Sequence, residues 1–79
     1  MTATGTPFSP RELEFVQLLA DGLTRRQAHV KLGFGRTRAD NIVKIVRIKA
    51  GADTIGQAIA WAAANGYVTV TPAVVEVTA

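Results

Sequence analysis

Residues 24–50 read TRRQAHVKLGFGRTRADNIVKIVRIKA, and their spacing predicts two helices joined by a tight turn. Thr24 and Gln27 have the spacing of a capping box, in which each side chain satisfies a backbone N–H at the other's position. That box opens a helix of about two turns, ending at Leu32. Gly33-Phe34-Gly35 interrupts it, with a glycine on either side of the phenylalanine to take backbone angles that other residues avoid. From about Arg36 to Ala50, the apolar residues Ala39, Ile42, Val43, Val46 and Ala50 share one helical stripe. Thr37, Asp40, Asn41, Lys44 and Arg47 lie opposite, and Gly51 stops the helix. A short helix, a glycine-containing turn and a longer helix with an apolar back and a basic front predict a helix-turn-helix.

The flanks supply its scaffold. Ser9 and Glu12 form a second capping box, with Pro10 at the first helical position and Phe8 and Leu13 placed as a hydrophobic staple. Leu13, Val16, Leu19 and Ala20, widened by Phe15 and Leu18, give this helix its stripe, and Asp21-Gly22 ends it. Thr54 and Gln57 predict a third box, opening a last helix with Ile55, Ile59, Ala62 and Ala63 inward, ended by Asn65-Gly66. Beyond Gly66 the period changes to two. Tyr67, Thr69 and Thr71 alternate with Val68 and Val70, then Pro72 interrupts before Val74, Val75 and Val77. The expected fold is therefore all-α, a tetrahelical domain over 8–66. An N-terminus expected to be disordered (1–7) precedes it, and an extended, strand-like C-terminal tail (67–79) follows.

The 79 residues suit one small domain with a thin core. Cysteine is absent, which excludes disulfides and thiolate metal sites. No signal peptide is expected, since residues 1–10 hold neither a basic nor a long apolar stretch. No apolar run reaches membrane-spanning length. The net charge of +3 is unevenly distributed. Eight Lys and Arg residues lie between Arg25 and Lys49, opposed by Asp40 alone, whereas the flanks are net acidic. A basic middle is the electrostatic footprint of a nucleic-acid surface.

Catalytic chemistry finds no support. Glu12 and Glu14 are two apart on a helix and face different ways. His29 has no second histidine or cysteine to share a metal with, and reads as a packing residue or a phosphate donor. Gly33-x-Gly35 follows no strand, so it is a turn and not a phosphate loop. No enzyme activity, metal or cofactor is expected.

Several segments together resemble the LuxR-type, or GerE-like, DNA-binding domain. Phe8-Ser9-Pro10-Arg11-Glu12 is similar to that family's opening motif, and Leu18 to Thr24 to its Leu-Leu-Ala-x-Gly-Leu-Ser/Thr. Leu32-Gly33-Phe34, Lys49-Ala50-Gly51-Ala52 and Gln57-Ala58-Ile59 stand in the matching order farther on. The resemblance covers Phe8 to about Val68. It implies four helices, the third entering the DNA major groove and the fourth pairing two copies, in a form like the stand-alone members. This chain departs from the pattern at Gln27-Ala28-His29, at Gly35 in place of a Ser or Thr cap, and at Arg38-Ala39-Asp40. It also departs at Ile45 and Ile48, which lie off the core stripe.

The expected function is sequence-specific binding of double-stranded DNA by a cytoplasmic transcriptional regulator of a bacterium, or of a phage in a bacterial host. Thr37, Asp40, Asn41 and Lys44 are expected to face bases, and Arg25, Arg26, Arg36, Arg38 and Lys49 to hold phosphates. Ala58, Trp61 and Ala62 are expected at a weak homodimer interface. Ile45, Ile48 and Asp40 motivate an alternative, a small protein-interaction module that binds RNA polymerase or another regulator.

Overall fold

The computed structural model describes residues 6–70. They form four helices: α1 (Pro10–Ala20), α2 (Arg25–Leu32), α3 (Arg36–Ala50) and α4 (Ile55–Ala64). The domain is all-α, with no strand among the described residues.

Local chemistry sets the helix boundaries. At α1, Ser9 Oγ accepts from the Glu12 N–H at 3.3 Å, and Glu12 Oε1 accepts from the Ser9 N–H at 2.9 Å. At α2, Thr24 Oγ1 and Gln27 Oε1 exchange the same pair of bonds at 3.0 and 2.8 Å. The third expected box closes differently. Thr54 Oγ1 accepts from the Gln57 N–H, but Gln57 Oε1 reaches past Thr54 to the Asp53 N–H at 2.9 Å. Gly33 (φ 80°) and Gly51 (φ 66°) end α2 and α3 in the left-handed region that side chains resist.

Each helix contributes its stripe to one core. Phe15, Val16 and Ala20 come from α1, Ala28 from α2, and Ala39, Ile42, Val43 and Val46 from α3. Phe8, Phe34 and Val68 close the core from the connecting segments. Phe15, Val16 and Val46 are its largest fully enclosed side chains.

α4 corrects one expectation. Ala58 and Ala62 are fully buried, so neither can touch a second copy of the chain. α4 packs on α3 and α1, and the small side chains at these two positions let its backbone come close. Trp61 is half-buried in an intrachain aromatic cluster. Its ring lies edge-on to Phe8 at 5.9 Å and tilted against Tyr67 at 5.5 Å.

The start of the tail also differs from its expected form. Tyr67 and Val68 form a bend, and Thr69 and Val70 take no regular secondary structure, so no strand forms there. Their alternating pattern has no partner strand among the described residues, and a lone ribbon is marginal in water. The Gln17 side chain supplies a substitute: its amide donates to Thr69 O at 2.8 Å and accepts from the Thr69 N–H at 3.0 Å. Residues 71–79, and residues 1–5 of the expected disordered N-terminus, lie outside the described residues.

One ion pair ties the start of α1 to the end of α3. Lys49 Nζ donates to Glu12 Oε1 at 2.8 Å, and the Glu12 side chain is only 12% exposed. Burial alone would raise the Glu12 carboxyl. Hydrogen bonds from Lys49 and the Ser9 N–H, with the charge of Lys49, outweigh it and hold the carboxyl below its ordinary value of 4.5. A depressed carboxylate adds stability above its unfolded pKa and loses it as pH falls through the folded one. Glu12→Gln retains a capping oxygen and removes the charge, so it is expected to cost about 1 kcal/mol near pH 7. Urea unfolding of both proteins at about pH 7 and about pH 3 checks this. The gap should close at the lower pH; an equal gap at both would mean that the charge contributes nothing.

Candidate nucleic-acid interface

The buried stripe of α3 fixes which way its other residues point. At about 100° per residue, Thr37, Asn41, Lys44 and Ile48 lie opposite Ala39, Ile42, Val43 and Val46. All four are exposed. Thr37, Asn41 and Lys44 make no side-chain hydrogen bond or ion pair among the described residues. Thr37 and Lys44 are about 10 Å apart along the helix axis, close to the ~12 Å width of a DNA major groove. Ile48 continues this face at 68% exposure, and Ile45 beside it is 39% exposed.

A cleft of about 490 Å³ opens where the start of α2 meets the start of α3, lined by Arg25, Arg26, His29, Arg36 and Asp40. Arg25 Nη1 donates to Asp40 Oδ1 at 3.4 Å across it, with both side chains about half exposed. Asp40 therefore turns toward an arginine, at the flank of the polar face. His29 Nδ1 lies 3.0 Å from Phe34 O. A carbonyl only accepts, so Nδ1 carries the proton, and the bond ties the turn back onto α2. Gly35 does not take the unusual angles expected of it: its φ of −84° and ψ of 170° are ordinary extended backbone. Its effect is chemical: α3 starts with no side-chain cap, leaving its first N–H groups without a side-chain acceptor.

Phe34 also organises charge. The Arg38 guanidinium lies 4.8 Å from its ring centroid, and the Arg11 guanidinium 5.3 Å. These stacked positions hold both cations at the protein surface. Two other basic residues of α3 turn inward to the protein. Arg47 Nη1 donates to Asp53 O at 3.1 Å, and Lys49 pairs with Glu12.

The structure therefore brings Arg25, Arg26 and Arg36 together and sets Arg38 on the Phe34 ring. Lys49 is not with them. It lies on the side of α3 that faces α1, where Glu12 binds it, so it is removed from the expected phosphate set. Two residues outside the expected site belong to this region, His29 as a cleft wall and Phe34 as the platform. Phe34 lies before the N-cap of α3, so no helical spacing announces the stack. No cluster of His, Cys, Asp and Glu suited to a metal ion exists among the described residues. Among them, no helix is long and apolar enough to cross a membrane. No protein-family model and no curated protein matches the chain.

A double-mutant cycle tests the stack. Phe34→Leu keeps an apolar side chain in the core and removes the ring face. Its coupling to Arg38→Ala in unfolding free energy should be about 0.5–1 kcal/mol. Additive costs would mean that the ring does not hold Arg38.

Proposed function

We propose that the chain is a sequence-specific, double-stranded-DNA-binding transcriptional regulator that inserts α3 into the major groove. The observation that carries this is the exposed Thr37-Asn41-Lys44 face, set against a buried apolar back and bordered by the Arg25-Arg26-Arg36 cleft. In the groove, Asn41 makes a bidentate contact to adenine and Lys44 donates to guanine N7 or O6. Arg25, Arg26, Arg36 and Arg38 hold backbone phosphates, which set register and carry no sequence information. The resemblance to LuxR-type domains supports the same assignment, with action in the cytoplasm of a bacterium or of a phage's bacterial host. The assignment requires no cofactor. A second copy docking weakly through α4 would use its exposed Gly56, Ala60 and Ala64. The two copies would then read half-sites about 10 bp apart.

One observation favours a second reading. Ile48 and Ile45 expose apolar surface on the same helix. A protein-interaction module that binds RNA polymerase or another regulator would use them.

Binding to a randomised duplex library, followed by a salt series on the selected site, separates the two. DNA binding predicts a log–log salt slope near −4, from about four phosphates neutralised by Arg25, Arg26, Arg36 and Arg38. Asn41→Ala should cost about 1–3 kcal/mol on the selected site and relax one base pair, whereas Arg25→Ala should weaken all sequences alike. Absence of any complex at low salt, with Ile48→Ala abolishing capture of a polymerase or regulator subunit, would favour the interaction module.

A further inference from the structure

We infer that the cleft between the starts of α2 and α3 seats one backbone phosphate of the duplex, and that His29 makes this contact pH-dependent. The inference rests on the DNA reading for its ligand and adds a residue and a regulatory property to it.

Three arginines and a histidine converge on one concavity of about 490 Å³, opposed by a single carboxylate. The concavity also adjoins the uncapped start of α3, whose N–H groups carry the positive end of the helix dipole. Guanidinium groups and backbone N–H groups are the donors that phosphate oxygens take. Asp40 holds Arg25 in the absence of a ligand through a half-exposed pair. Such pairs are worth little in water, so a phosphate can displace the carboxylate from Arg25.

His29 differs from the arginines because its charge is conditional. Its Nδ1–H is committed to Phe34 O, which leaves Nε2 as the ring's remaining polar atom in a residue that lines the cleft. Neutral, Nε2 presents a lone pair and repels a phosphate oxygen. Protonated, it donates and adds a positive charge. Imidazole is the side chain that can exchange a proton near neutral pH. The charged groups lining the cleft are Arg25 and Arg26 from α2 and Arg36 and Asp40 from α3. From α1, Arg11 pairs with Glu14, and Glu12 pairs with Lys49, outside the cleft lining. Proton uptake and phosphate binding favour each other, so affinity rises as pH falls.

His29→Asn separates this role from a structural one. The asparagine amide nitrogen occupies nearly the position of Nδ1 and keeps a donor for Phe34 O, but nothing in it titrates. The full-length protein and this variant are compared on one duplex at about pH 8 and about pH 5.5. The protein should bind about tenfold more tightly at the lower pH, and the variant should change by no more than about twofold. Equal pH dependence in both overturns the proposal. A second measurement follows the His29 ring resonances through a pH titration with and without inorganic phosphate. Phosphate should raise the titration midpoint in the wild-type protein, with a smaller rise in Arg25→Ala. No movement of the midpoint overturns the seat. A raised midpoint in a protein that binds no duplex keeps the phosphate seat and sinks the DNA reading, so the two failures are distinguishable.

Discussion

Burial of one stripe of α3 is the constraint on which the other features depend. Ala39, Ile42, Val43 and Val46 are all buried, Val46 completely. Rotating α3 by one residue, about 100°, would carry Asp40, Lys44 and Arg47 inward in their place. Burying those charges away from water and from their present partners would be costly, so the rotational phase of the helix is locked. The outward face of Thr37, Asn41 and Lys44 follows from that locking. No interaction of their own is needed to hold them there.

The second consequence concerns the turn. With α3 fixed, Phe34 is drawn into the core. Its carbonyl is left for His29 Nδ1, and its ring, at the edge of the core, receives Arg38 and Arg11. One residue thus joins packing to charge placement. The basic residues of the middle segment divide into two groups as a result. Arg25, Arg26, Arg36 and Arg38 remain at the surface around the α2–α3 turn, while Arg47 and Lys49 bind other parts of the protein.

Where the governing physics is local, the sequence is readable. The capping boxes at Ser9 and Thr24, the stop at Gly33 and the inward stripe of α3 each depend on residues within about one or two turns, and each takes its expected form. Misreadings arise where a distant partner decides. Lys49 lies in a basic segment, but its partner Glu12 is 37 residues away. Gln17 binds the backbone of Thr69 across 52 residues, which no periodicity announces. Ala58 and Ala62 are misread as interface residues because an alanine-rich helix offers small side chains on every face. Only its packing against α3 and α1 distinguishes the buried pair from exposed Ala60 and Ala64.

The central claim is that the front of α3 and the neighbouring cleft form one DNA-binding surface. Titrating a selected duplex into isotope-labelled protein and following every amide and side-chain resonance tests it most directly. The largest shifts should fall on Arg25, Arg26 and His29 of α2 and on residues 36–44 of α3. Residues lining the apolar groove between α1, α2 and Tyr67, about 620 Å³ in volume, should stay in place. Shifts concentrated on that groove or on the outer face of α4, with α3 unmoved, would contradict the account.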